Sequence, residues 1–279
     1  MKKSKLSVAL LTACMAATLL AGCGDKKTET TEATTEATTE ATTEAATTTE
    51  ATVADATASE AEDDENYETG DASLDNVRNQ DEIGDNELLV VSFGTSFNDS
   101  RRLTIGAIED KLDEEFGKDY SVRRGFTSQI IIDHVKRRDG IAIDNMAEAL
   151  DRAVDNGVKN LVIQPTHLMN GLEYTDVVNE VGDYADAFDQ VVIGDPLLTS
   201  DEDFDEVVKA ITDATAEYDD GETAICFMGH GTEADSNEVY QKMQDKLTDA
   251  GFENYFVGTV EATPSVDDVL AVSYTHLRA

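Results

Sequence analysis

Between Glu87 and Ala271, short apolar runs alternate with stretches whose apolar residues recur every three to four positions. That alternation admits few folds. Leu88–Phe93, Leu161–Pro165, Val191–Gly194, Thr223–Met228 and Tyr255–Val260 read as strands, with a weaker strand at Tyr120–Arg124. Ile105, Ile108, Leu112 and Phe116 follow helical spacing, and another helix starts near Tyr174. Phe204, Val207, Val208 and Ile211 form the core face of a third helix, and Val239, Tyr240, Met243 and Leu247 that of a fourth, stopped at Gly251. Asn145 with Glu148 is a capping-box helix start, closed at Gly157, and Ser200 with Asp203 starts a helix in the same way. Strand and helix in alternation predict an α/β protein with parallel strands covered on both faces. Four strands precede Pro196 and two follow Glu222, with the acid-rich Ser200–Glu206 region as a crossover between halves. Roughly 185 residues suit one large domain or two small ones.

The flanks read differently. Lys2, Lys3 and Lys5 precede an apolar stretch from Leu6 to Leu20 and then Leu20-Ala-Gly-Cys23. This is a secretory signal over residues 1–22, too short for a spanning helix. Its Leu-Ala-Gly-Cys end fits a bacterial lipobox in which Cys23 is acylated, so the protein is expected outside the cytoplasm, held to the membrane by lipid alone. Residues 23–86 hold Thr-Thr-Glu-Ala repeats at Glu32, Glu36, Glu40 and Glu44 and an acidic run near Glu62–Glu65. With almost no large apolar side chains, this segment is expected to be a solvated, self-repelling linker. Val272-Ser-Tyr-Thr-His-Leu277 and the following Arg-Ala match one reading frame of a sequencing-library transposon end. Residues 272–279 are therefore expected to be non-native and to interrupt a helix begun by Pro264, Val266, Val269 and Leu270, and His276 is set aside.

The formal net charge is −38, which disfavours nucleic acid and anionic lipid as partners. The basic residues are uneven, with Arg101-Arg102, Arg123-Arg124 and Lys136-Arg137-Arg138 close together in sequence. A solvated helix face accounts for such a cluster, and a polycarboxylate ligand also suits it. Of the three cysteines, Cys14 lies in the signal and Cys23 at the lipid site. Cys226 falls in a strand, where it is expected to be buried and inert, with no partner for a disulfide.

Chemistry concentrates at strand ends. Met228-Gly-His-Gly-Thr232 and Val257-Gly-Thr-Val-Glu261 end two strands joined by a helix. Such a unit makes the strands parallel and usually adjacent, so His230 and Glu261 are expected together at the carboxyl edge, where open α/β sheets bind ligands. An imidazole and a carboxylate there can share a divalent ion and accept protons. Gly229-His-Gly231-Thr-Glu-Ala234 also fits a dinucleotide fingerprint, but a histidine between the glycines would crowd a pyrophosphate. There is no Walker lysine and no G-x-S-x-G, so no nucleotide is expected. Ser92-Phe-Gly-Thr-Ser96 ends the first strand; Ser92, Thr95 and Ser96 suit either helix caps or an anion cradle. Pro165-Thr-His167 with Asn170-Gly-Leu-Glu173-Tyr174 ends the third, with His167 either lining the cleft or satisfied in a turn. His134, in the basic helix, is expected at the surface.

Seven segments resemble, in order, the anaerobic sirohydrochlorin cobaltochelatases: Ser92-Phe-Gly-Thr-Ser96, Phe126-Thr-Ser-Gln-Ile-Ile-Ile132, Arg138-Asp-Gly-Ile-Ala-Ile-Asp144, Gln164-Pro-Thr-His167, Pro196-Leu-Leu-Thr-Ser200, Phe227-Met-Gly-His-Gly231 and Val257-Gly-Thr-Val-Glu261. The resemblance covers Glu87–Ala271 and implies the class II chelatase fold: two similar parallel-sheet α/β halves around a tetrapyrrole cleft. The first half would span about 87–197 and an incomplete second half about 198–271. The resemblance implies that His230 and Glu261 are two of three metal-site residues, with His230 also the proton acceptor. The third, a histidine in a Gly-Asp-His segment, is not in this sequence, so the chain is expected to be an inactive, truncated form. It further implies sirohydrochlorin as substrate and a divalent metal, cobalt first, with iron and nickel open. Ser92, Thr95, Ser96, Arg123 and His167 are the expected substrate contacts, and a homo-oligomer stays open. A non-catalytic tetrapyrrole- or metal-binding lipoprotein used in uptake is the competing expectation.

Overall fold

The computed structural model describes residues 68–276. The predicted signal, Cys23 and the acidic repeats lie outside the described residues.

Six strands form in the predicted places: β1 (Asn86–Ser92), β2 (Ser121–Phe126), β3 (Asn160–Pro165), β4 (Gln190–Ile193), β5 (Ile225–Gly229) and β6 (Tyr255–Thr259). Among the described residues eight α-helices accompany them: α1 (Asn98–Leu103), α2 (Ile105–Phe116), α3 (Gln129–Asp139), α4 (Met146–Asp155), α5 (Leu172–Tyr184), α6 (Asp201–Thr215), α7 (Glu238–Asp249) and α8 (Val266–His276). The first sheet has four strands in the order β2-β1-β3-β4, and the second pairs β5 with β6. Every pairing is parallel: Leu88 lies opposite both Val122 and Val162, and Ile225 opposite Tyr255. The result is an asymmetric α/β architecture of the class II chelatase type.

Local chemistry explains the element ends. Asn145 and Glu148 exchange both capping-box bonds at the start of α4, and Ser200 and Asp203 do the same for α6, so orphan amide groups of the first turn are satisfied. Once α4 is in place, Met146, Ala149, Leu150 and Ala153 pack with Val177 and Val181 of α5 against Leu89, Val91, Leu161 and Ile163 of the sheet. Each fully buried leucine or isoleucine contributes about 1.5–3 kcal/mol of burial. A second core joins Phe204 and Val208 of α6, Tyr240, Met243 and Leu247 of α7, and Ile225, Tyr255 and Val257 of the smaller sheet.

Several expectations are corrected. The folded body begins before residue 87, because Ile83 is buried in the main core and Asp75 is enclosed by two arginines. The basic cluster is largely internal. Arg101 Nε lies 2.6 Å from Asp75 Oδ2, and Arg124 bridges Asp75 at 2.7 Å and Glu109 at 2.6 Å. Burial pushes Asp75 upward most strongly, yet the guanidinium groups of Arg124 and Arg101 together hold it below the usual carboxylate range. Removing both charges from water is costly, and these short, multiply hydrogen-bonded contacts offset that cost. The same pairing rotates α2: Glu109 is buried, whereas Ile108 and Phe116 of the predicted apolar stripe are exposed. His134 is buried rather than at the surface, since α3 packs with the face that carries Ile132, His134 and Val135. Cys226 is exposed: Ile225 and Phe227 face the core formed with α6 and α7, and Cys226 points to the opposite face of β5. Finally, α8 runs through Val272 to His276 without the predicted interruption.

Candidate metal and tetrapyrrole site

The smaller sheet brings His230 and Glu261 together. Its ladder carries on beyond the regular strands: Val260 N donates to Gly229 O at 3.0 Å and Glu261 N to His230 O at 2.9 Å. The backbone thus fixes the two residues as neighbours before any side chain takes part. His230 Nδ1 lies 3.7 Å from Glu261 Oε2, with the side chains 77 % and 66 % exposed. Nδ1 also lies 3.1 Å from the carbonyl of Gly231. A carbonyl only accepts, so in the Nδ1–H tautomer this contact is a hydrogen bond, and in the other tautomer Nδ1 keeps its lone pair beside Glu261.

Close packing beneath the pair sets the loop. A Cβ at Gly229 would run into the ring of Tyr240, and one at Gly231, where φ is +90°, would lie 2.8 Å from Ala262. Only glycine meets both demands. The Tyr240 hydroxyl accepts from Gly231 N at 3.3 Å, and Thr259 Oγ1 accepts from Ala262 N at 3.1 Å. The G-x-G pattern therefore serves this loop contact.

The other expected contacts fall around the first sheet, with varied access. Ser92 is buried, and its hydroxyl accepts from Thr166 Oγ1 at 2.8 Å, tying β1 to the end of β3. Thr95 Oγ1 accepts from Phe97 N, and the carbonyl of Ser96 accepts from Arg138 Nη2 at 2.6 Å. These are local loop contacts, and α1, which follows, has only six residues. Arg123 is corrected as a substrate contact: it is fully enclosed, 3.2 Å from Glu87 and 2.6 Å from Asp144. It sits mid-strand with both sheet faces covered, so no ligand reaches it. His167 is 9 % exposed, with both ring nitrogens enclosed and without a hydrogen bond, and Nε2 lies 4.0 Å from Glu173 Oε2. Burial holds its pKa below the ordinary imidazole value, against the pull of Glu173, which favours the neutral ring.

Two features were not foreseen. A cleft of about 320 Å³ lined by Phe93, Thr127, Glu173, Asp176 and Glu180 opens where β1, β2 and β3 end. Its charged lining is acidic. Around the strand ends stand exposed apolar side chains: Phe93 after β1, Ile130 after β2, Leu172 after β3, Leu197 after β4 and Val260 after β6. Ile130 is 81 %, Leu172 71 % and Val260 67 % exposed. One such residue follows nearly every strand, and a signal of that kind emerges only once the strand ends are aligned. Among the described residues, no three His, Cys, Asp or Glu side chains form a group that could hold a metal ion; the imidazole and carboxylate stand as a pair.

Two parallel-stranded sheets flanked by helices, with an imidazole–carboxylate pair at adjacent strand ends, mark an α/β protein of the chelatase type. The chain belongs to the cobalt chelatase (CbiK) family, whose profile matches residues 86–276. It is similar to the sirohydrochlorin cobaltochelatase of Salmonella typhimurium, 36 % identical over 180 residues that cover 64 % of this chain and 67 % of that protein. It is also similar to sirohydrochlorin cobaltochelatase CbiKC of Nitratidesulfovibrio vulgaris, 25 % identical over 205 residues covering 71 % of this chain and 70 % of that protein.

Proposed function

We propose that this protein handles cobalt and sirohydrochlorin at the carboxyl edge of its sheets, and that its chemistry is insertion of the ion into the macrocycle. The observation that carries this reading is the exposed His230–Glu261 pair, 3.7 Å apart. An imidazole nitrogen and a carboxylate oxygen suit first-row divalent ions in general, iron and nickel among them, and cobalt is preferred because both similar proteins are named for it. The exposed apolar side chains that follow the strands offer a flat macrocycle apolar contact.

Insertion exchanges two pyrrole protons for one divalent ion. His230 holds the ion through a ring nitrogen while Glu261 balances its charge. As the ion passes to the macrocycle nitrogens, the freed imidazole lone pair accepts one pyrrole proton. The second proton leaves through exposed Glu261 to water. No nucleotide enters these steps. The same exposed pair also supports a second reading, in which the protein binds metal or tetrapyrrole for uptake without turnover.

One experiment tests both readings. Sirohydrochlorin and cobalt are mixed with the full chain and the absorbance of the macrocycle is followed. Many equivalents converted per protein support insertion; a single bound equivalent supports the carrier. In either case, His230→Ala is expected to abolish the signal and Glu261→Gln to weaken cobalt binding at least tenfold. Near-normal behaviour of both variants would remove the pair from the function. We further propose that Cys23 is acylated and that the acidic linker holds the folded body off the outer face of the membrane.

A further inference from the structure

We infer that Asn237 is a positioning residue that sets the spacing of His230 and Glu261, and with it the affinity of the pair for a divalent ion. This rests on the reading of that pair as the metal site. Asn237 immediately precedes α7, at its N-cap position, and asparagine there ordinarily accepts a hydrogen bond from the first turn of the helix. It makes no such bond. Its side chain instead bridges two loops: Oδ1 accepts from Thr232 N at 3.1 Å, and Nδ2 donates to the carbonyl of Thr263 at 2.8 Å. Thr232 lies two residues after His230, and Thr263 two residues after Glu261. One amide therefore clasps both ligand-bearing loops, each at the same distance in sequence from its ligand.

The clasp acts where the sheet no longer can. The last cross-loop backbone bond runs from Glu261 N to His230 O. Past it, the loops meet at the tight Gly231–Ala262 contact and through Asn237. Both ligand side chains are mostly exposed, so packing does little to hold them. A shared ion requires its nitrogen and oxygen donors about 3 Å apart, since each bond is about 2.1 Å. Loops free to part by an ångström would lose one ligand. Groups that orient metal ligands in this way typically change affinity by about ten- to a hundredfold when removed.

The test uses the full chain with Co²⁺ alone, read by the visible absorption of the bound ion and by its dissociation constant. Amide hydrogen exchange at Thr232 and Glu261 reports the loops independently of metal. Asn237→Ala is expected to speed exchange at both amides, lower Co²⁺ affinity about tenfold or more, and shift the cobalt spectrum, with the far-ultraviolet circular dichroism unchanged. Asn237→Asp separates a clasp from a simple cap. It keeps the acceptor for Thr232 N but has no donor for Thr263, so a clasp makes it nearly as damaging as alanine. Wild-type cobalt affinity and spectrum in Asn237→Ala, with affinity lost in His230→Ala, would overturn the positioning role and leave the metal site standing. Equal cobalt binding by wild type and His230→Ala would overturn the metal reading, and the clasp with it.

Discussion

Replacing Glu87 by glutamine is expected to make the protein harder to unfold above pH 7 while changing little near pH 4.5. The Glu87 side chain is fully enclosed; Oε1 lies 3.2 Å from Arg123 Nη1 and Oε2 has no hydrogen bond. Burial raises its pKa from 4.5 to about 7, more than Arg123 offsets, and the neighbouring Asp144 pushes the same way. Because the folded-state pKa is raised, the folded protein holds this proton more tightly than the unfolded chain. The resulting stabilisation is full below about pH 4.5, declines as pH rises, and is gone above about pH 7. At about 1.4 kcal/mol per pH unit, the loss across that window is about 3 kcal/mol. Glutamine is close in shape to the protonated acid and does not titrate, so the variant escapes the loss. Urea unfolding of both proteins at pH 5, 6, 7 and 8 gives the difference directly, and titrations common to both cancel. The advantage of Glu87→Gln is expected to grow from pH 5 to pH 7 and to level off by pH 8. A difference constant to within about 0.5 kcal/mol would refute the argument that Glu87 is a buried carboxylate short of partners.

Asp75→Asn should destabilise the protein by about 3–5 kcal/mol, because Arg101 and Arg124 would remain buried with less opposing charge; chemical denaturation measures it, and a loss under 1 kcal/mol would show that Glu109 suffices alone. Cys23→Ala should move the protein from the detergent-extracted membrane fraction to the soluble fraction of an expressing bacterium. Identical partitioning of variant and wild type would dispose of the lipid anchor.

The strands, the capping boxes and the His230–Glu261 neighbourhood were readable because each rests on short-range information. Asn145 and Glu148 are three residues apart, and parallel pairing across one helix suffices to align the ends of β5 and β6. The arginines were misread because their partners are distant in sequence. Asp75 meets Arg124 across 49 residues, and no periodicity announces a salt bridge of that reach. Arg123 and Arg124 point to opposite faces of β2, which in a half-exposed strand would leave one of them in water; here both faces are covered, so both are buried. Cys226 erred the other way, since an apolar strand reveals nothing about which of its faces a helix will cover. The exposure of Phe93, Ile130, Leu172, Leu197 and Val260 escaped notice for a related reason: it depends on packing that the sequence does not announce.

The segment between residue 68 and β1 has a mechanical consequence. Thr69 O accepts from Asp99 N, Asp75 grips Arg101 and Arg124, and Ile83 is set in the main core. Tension arriving along the upstream chain meets these fastenings in series before it reaches Asn86, where β1 begins. The sheet and the ligand loops beyond it stay unloaded while the fastenings hold. A pull on the upstream chain would first strip away this short strap, exposing two charged arginines to water, and the strap would behave as a fuse whose breaking strength rises and falls with the ionisation of Asp75.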